Sequence, residues 1–217
     1  AFVGEGTTGV KISNGMLGLV IFPEAGTHAL AMTGMGALEG FPGVSLSGEL
    51  TVEANKTGMA INEDISTPGV NVTLNFDNGA EIQRVTGSVD LEVTGFARLS
   101  GDYSFIKTGK GDTAKIVTLV TNLEAFLGRD DPMASNRVGV SVADGNLTMA
   151  LFPGTGKYAL NGTGTGSIVG VSDLEFSASV QVRANNTGGA VTEIINTSGG
   201  TRLITFNSSE GNLAEFQ

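Results

Sequence analysis

The chain carries 22 acidic and 12 basic side chains over 217 residues, with 33 glycines, one histidine and neither cysteine nor tryptophan. Its net charge of −10 leaves no basic face to release phosphate counterions, which argues against nucleic acid and anionic membrane surfaces as partners. The lack of cysteine excludes a disulfide scaffold and a thiolate metal site, and no apolar run reaches the roughly 18 residues of a membrane-spanning helix.

Hydrophobic periodicity is two almost everywhere, the mark of strands with one apolar and one wet face. Leu17, Leu19 and Ile21 make the first such run, closed by the turn signal Phe22-Pro23-Glu24. Asn14-Gly15 just ahead of it reads as a tight hairpin turn, because both residues tolerate positive φ. Gly34-Met35-Gly36 follows inside a strand-like stretch. After Phe41-Pro42-Gly43, the apolar series Val44, Leu46, Gly48, Leu50 and Val52 alternates with Ser45, Ser47, Glu49, Thr51 and Glu53. That alternation predicts a buried face and a solvated one. Asn78-Gly79 marks the next turn. Val85, Val89, Leu91 and Val93 then give one strand, and Leu99, Tyr103 and Phe105 another. Lys115 to Phe126, rich in β-branched residues, reads as a strand in preference to a short helix over Asn122 to Leu127.

From there the chain repeats itself. Residues 9–63 align with 139–193 at a constant offset of 130, with no gap. Phe22-Pro23 matches Phe152-Pro153, Ala29-Leu30 matches Ala159-Leu160, and Val52-Glu-Ala-Asn-Lys-Thr-Gly58 faces Val182-Arg-Ala-Asn-Asn-Thr-Gly188. Leu17, Leu19 and Ile21 correspond to Leu147, Met149 and Leu151, and Asn14-Gly15 to Asp144-Gly145. Ala1-Phe-Val-Gly4 resembles Ala125-Phe-Leu-Gly128 at the shorter offset of 124. The organisation expected is a first β repeat unit over 1–128, an inter-unit loop over 129–136 and a second, truncated β repeat unit over 137–217. Nothing in the second unit corresponds to Thr86 through Glu124. The fold class expected is all-β: two tandem antiparallel β-sandwich or β-layer units, the second incomplete. A β-solenoid is the alternative, disfavoured because no single motif recurs at the ~20–30-residue spacing such folds need.

Chemistry-bearing constellations are sparse. His28 has no nucleophile or acid beside it in sequence, and its repeat partner is Tyr158, so it reads as an amphipathic strand residue. Gly162-Thr-Gly-Thr-Gly166 lacks the Lys-Ser/Thr and following helix of a phosphate loop and reads as a closely approached strand. Asp130 and Asp131, with Asn136, offer a thin start toward the ~6–8 oxygens calcium requires, and a solvated acidic turn is the better reading. Asn-x-Ser/Thr sequons begin at Asn55, Asn71, Asn146, Asn161, Asn185, Asn196 and Asn207. Asn55 and Asn185 are repeat partners, which favours an Asn-x-Thr-Gly turn over glycosylation at those two. No catalytic, cofactor-binding or metal residue is assigned. The chain is expected not to be an enzyme and to need no cofactor, with calcium as the single ion held open.

The run from Tyr158-Ala-Leu160 to Gly166-Ser-Ile-Val-Gly170, with its partner running from His28-Ala-Leu30 to Thr57-Gly58, resembles the β-strand repeats of very long, tandemly repetitive bacterial surface and adhesin-like proteins. The resemblance spans both units. It implies a secreted or surface-attached structural role, and no functional residues. The function expected is a non-catalytic structural or adhesive module of an extracellular repeat array or filament. Its unfinished unit would polymerise by β-strand complementation, with Ala1 to Val10 as a candidate donor. Its expected partners are copies of the same chain or neighbouring repeats, with no nucleic acid and no membrane insertion. A carbohydrate- or calcium-binding module of a larger secreted protein is the alternative, for which Tyr103 and Tyr158 are the only tyrosines on offer.

Overall fold

In sequence order the strands are β1 (Phe2–Glu5), β2 (Thr8–Phe22), β3 (Thr27–Glu39), β4 (Val44–Asn55), β5 (Ile61–Thr67), β6 (Val70–Phe76), β7 (Ile82–Val93) and β8 (Ala97–Thr108). They continue as β9 (Lys115–Arg129), β10 (Val138–Phe152), β11 (Lys157–Val169), β12 (Phe176–Asn185), β13 (Val191–Thr197), β14 (Gly200–Phe206) and β15 (Leu213–Phe216). This computed structural model describes residues 2–5, 8–109, 113–129, 137–197 and 200–217. The protein is all-β, as its periodicity of two requires. Among the described residues the longest helical segment is the 3-10 turn Ser208–Glu210.

Eleven strands form one open antiparallel sheet in the order β1-β2-β3-β4-β7-β8-β9-β10-β11-β12-β15. The remaining four make two hairpins, β5–β6 and β13–β14, which leave the sheet between β4 and β7 and between β12 and β15. Successive strands run antiparallel, the layer arrangement and not the solenoid. The sheet also passes the unit boundary without a break. β9 of the first unit pairs with β10 of the second from Arg129↔Val138 to Ile116↔Leu151. The two units therefore share one sheet, and among the described residues a second layer exists only where the hairpins sit.

The hairpins explain where the core lies. In the first unit Ile61, Leu74 and Phe76 press onto Ala29, flanked by Val20, Phe22 and Ala31 of the sheet. In the second, Val191, Ile195, Ile204 and Phe206 press onto Ala150 and Ala159, joined by Val117 and Leu119 of β9. The sheet residues under the hairpins are small because a second layer approaches them closely; Ala29, Ala150 and Ala159 are fully buried. Gly18 belongs to the same device, since a Cβ there would lie 2.7 Å from Leu74 and Val72 side-chain atoms.

The opposite face carries the larger apolar residues, and here the structure departs from expectation. The Leu/Val phase of the strands, read as the buried face, is not covered by the hairpins. Leu17, Leu19 and Ile21 are 56%, 43% and 59% exposed. The hairpins cover the other phase instead. Alternation fixes which residues share a face but not which face receives a second layer.

A second departure concerns turns. Asn14-Gly15 and Asp144-Gly145 do not reverse the chain; each lies inside a fifteen-residue strand. There the ladder register slips, between Ser13 and Met16 in β2 and between Ala143 and Asn146 in β10. Asn14 and Asp144 sit at φ 50° and 52°. A β-bulge asks for the same left-handed residue as a tight hairpin turn, so the dipeptide alone cannot separate them. Phe22-Pro23-Glu24 and Phe41-Pro42-Gly43 do connect consecutive strands, β2 to β3 and β3 to β4.

Candidate functional site

The residues singled out from sequence fall on strands and turns. His28 lies on β3 opposite Ile21, half-buried, and its carbonyl accepts the Lys56 N–H at 2.9 Å. Tyr158 repeats this on β11, its carbonyl accepting from Asn186 N at 3.0 Å. The glycines of 162–166 lie within β11. A Cβ on Gly164 would meet Val142 at 2.7 Å, so that position is a closely approached strand and not a loop.

Asn55 and Asn185 are buried, at 0% and 1% exposure, each closing an Asx turn. The Asn55 side-chain oxygen accepts from Thr57 N at 3.0 Å and Thr57 Oγ1 at 2.7 Å, while its amide donates to Met59 O at 2.8 Å. Asn185 does the same with Thr187, at 3.0 and 2.8 Å, and with Gly189 O at 2.9 Å. Both amides are occupied and inaccessible to a glycan. Asp130, Asp131 and Asn136 lie outside the described residues, and among the described residues no cluster of three or more His, Asp or Glu side chains forms a cation site.

Two features remain that can engage something else. One is the pair of sheet edges. β1 pairs only with Thr8–Lys11 of β2, so Met16–Phe22 carries no outer strand among the described residues. At the far edge β15 pairs with Val182–Asn185, and Gln217 exchanges backbone bonds with Gln181 at 2.8 and 2.9 Å. Phe176–Val180 carries no outer strand there among the described residues. The two openings lie at opposite ends of the strands: near the β2–β3 connection at one edge, near the β11–β12 connection at the other. Exposed ladder groups of this kind are templates for an added strand.

The other is a polar cleft of about 530 Å³ between the middle of the sheet and the second hairpin. Ser88 Oγ and Asn122 Nδ2 donate to the two oxygens of Asp102, the latter at 2.6 Å. The Ser88 bond first, then that from Asn122, holds the Asp102 carboxyl below its ordinary value, against a smaller opposing push from burial. Thr86, Tyr103, Thr121, Asn146 and Arg202 share the lining. This arrangement can accept hydrogen bonds from hydroxyl groups, as the Asp102 carboxylate already does from Ser88. Sequence reading missed it because Ser88, Asp102 and Asn122 come from three strands, and Asn122 turns toward Asp102 through a positive φ of 52° at a β9 irregularity.

No protein-family model, curated protein or solved structure matches the chain.

Proposed function

We propose that this chain is a structural or adhesive module of an extracellular repeat array, assembled by addition of β-strands at its sheet edges and not by catalysis. The observation that supports this most is the β9–β10 pairing, which spans Val138 to Leu151 through register shifts around Gly145 and adds one repeat to the next by extending a single sheet. The same operation repeated at the outer edges gives a head-to-tail, non-closing assembly. Register favours it. β1 and β15 run in the same direction at the two ends of the eleven-strand sheet. The opening on β12 at Phe176–Val180 is long enough to seat the four residues of β1 from a neighbouring copy. The surface-protein resemblance and the acidic charge fit an extracellular setting.

Negative-stain electron microscopy with parallel light scattering, with and without a chelator, tests this reading. Regular fibres or rods are expected in both conditions. Single particles of one-chain mass at high concentration would contradict it, and fibres that dissolve on chelation would make calcium an assembly ion. A second reading, a carbohydrate-binding module, draws on the Asp102 cleft; saturable glycan binding lost in Asp102→Ala would favour it.

A further inference from the structure

We infer that the uncovered apolar face of the sheet is an interface that a second copy of this chain covers face to face. Paired residues in an antiparallel ladder point to the same side, so the registers trace this face across the molecule. One row runs Met32, Val52, Val85, Phe105, Thr118, Met149, Leu160, in which Thr118 alone is already buried, at 3% exposure. A parallel row runs Leu46, Leu91, Leu99, Ala125, Val142. Neither row contains a charged residue, while the opposite phase of the same strands holds Glu49, Glu53, Asp90, Glu92 and Asp102.

Area decides that this face is covered. A compact monomer of 22.1 kDa exposes about 9,300 Å² by the surface-to-mass relation for folded monomers. This chain exposes 12696 Å², roughly a third more than that relation allows. Eleven strands at ~4.8 Å spacing and about ten residues of ~3.4 Å give the face an extent of about 1,700 Å². Two such faces in contact remove on the order of 3,000 Å² or more in total, the range of obligate dimers.

Texture decides the occupant. Between the two apolar rows, one line alternates absent and large side chains across adjacent strands, Gly34, Leu50, Gly87, Tyr103, and the next is hollow except at Val89, running Gly36, Gly48, Val89, Gly101. The result is a set of knobs and hollows at strand spacing, with a trough of about 300 Å³ bounded by Leu46, Leu50, Leu91, Leu99 and Phe105. A partner that interdigitates with it needs side chains at the same spacing, which another copy of this sheet supplies. Lipid has no such period, and an open sheet leaves unpaired edge groups that hydrocarbon does not satisfy. The pairing is independent of edge growth: it holds whether or not strands add at β2 and β12.

The chain has no cysteine, so a single introduced thiol reports on each face. Val140 lies on the apolar face and is 53% exposed in the single chain; Ile194, on the outer side of the second hairpin, is 62% exposed. In the isolated chain Val140→Cys and Ile194→Cys would react with a maleimide alike. The pairing predicts that Val140→Cys reacts at least about tenfold more slowly, a population shift of roughly 1.4 kcal/mol or more, and that both react equally in urea. The mass by light scattering should be at least twice the 22.1 kDa of the chain. Equal native rates overturn the pairing, including when edge-grown fibres are present. Protection at one-chain mass overturns it, as does protection that appears only on adding phosphatidylcholine vesicles.

Discussion

The two hairpins are built from equivalent residues yet sit in unequal surroundings. Ile61, Leu74 and Phe76 correspond to Val191, Ile204 and Phe206, but among the described residues the second set belongs to a buried cluster twice the size of the first. Half of the difference comes from β9; the rest is Ala150 and Ile195, whose counterparts Val20 and Ile65 are only partly buried. β9 runs the full height of the sheet beside β10 and contributes Val117 and Leu119 beneath the second hairpin. Its counterpart beside β2 is β1, which pairs only as far as Lys11. A hairpin core is thus completed by a strand of the preceding unit. Repeats that complete one another in this way owe much of their stability to the interface between neighbours. The cross-strand charge pair at the edge of each hairpin makes the same point about equivalence. Glu53 with Arg84 in the first unit becomes Arg183 with Glu215 in the second, signs exchanged and position kept. In the second unit Arg183 also lies 4.9 Å over the Phe206 ring.

The largest expected effect is on Phe206, which is 1% exposed. Phe206→Ala should cost about 3–5 kcal/mol of unfolding free energy in urea, through lost burial and a cavity. Phe76→Ala, in the smaller cluster, should cost measurably less. An equal or larger loss at Phe76 breaks the comparison.

Next come the two Asx turns, where the units are alike. Asn55→Ala and Asn185→Ala each remove the hydrogen bonds of a buried amide to half-buried or exposed partners and should cost about 1–3 kcal/mol apiece. Similar values are expected because the bonds to Thr57 and Met59 match those to Thr187 and Gly189, with one longer bond from Asn55 to Asn78 O at 3.4 Å added in the first unit. A large difference between them would show that the turns are not equivalent supports.

A smaller effect belongs to the second unit. Lys115 of β9 bonds Glu193 of the second hairpin at 2.5 Å, whereas Glu63, the counterpart of Glu193, is exposed. A double-mutant cycle on Lys115 and Glu193 should give a coupling of up to about 1 kcal/mol, as partly exposed pairs do. No coupling would remove the ion pair from the reasons for the second hairpin's firmer seat.

The smallest effect is at Asp102, between the hairpins. Its carboxyl titrates lower in the folded chain than in the unfolded chain. The unfolded state therefore binds more protons as pH falls below the ordinary aspartate value, and the contribution of Asp102 to stability fades with it. Denaturation of the wild type and Asp102→Asn should differ slightly at neutral pH and converge under acid; a gap that widens as pH falls contradicts the assignment.

Much of this was readable in the sequence, and the misreadings have physical causes. The offset of 130 placed the second hairpin over the same kind of alanine as the first, Ala159 for Ala29. The alternation in Val44 to Glu53 gave β4 its faces. Asn14-Gly15 misled because a bulge and a hairpin turn share one backbone conformation. The identity of the covered face was hidden because hairpin strands such as Val70 to Phe76 alternate like sheet strands. Nothing local says that they leave the sheet and press on Ala29 instead of pairing beside β4. Asp102 and its partners were invisible for the reason common to sites assembled across strands: their proximity is set by register.

Hydrogen exchange followed by mass spectrometry on the full chain, at low and high concentration, tests most directly whether a neighbour completes each unit. At low concentration amides of β13–β14 should be better protected than those of β5–β6. At high concentration protection of β5–β6 and of Met16–Phe22 should rise toward that of the second unit, as an added strand takes the place β9 holds beside β10. Protection that is equal in the two hairpins and unchanged by concentration would contradict assembly through completed sheet edges.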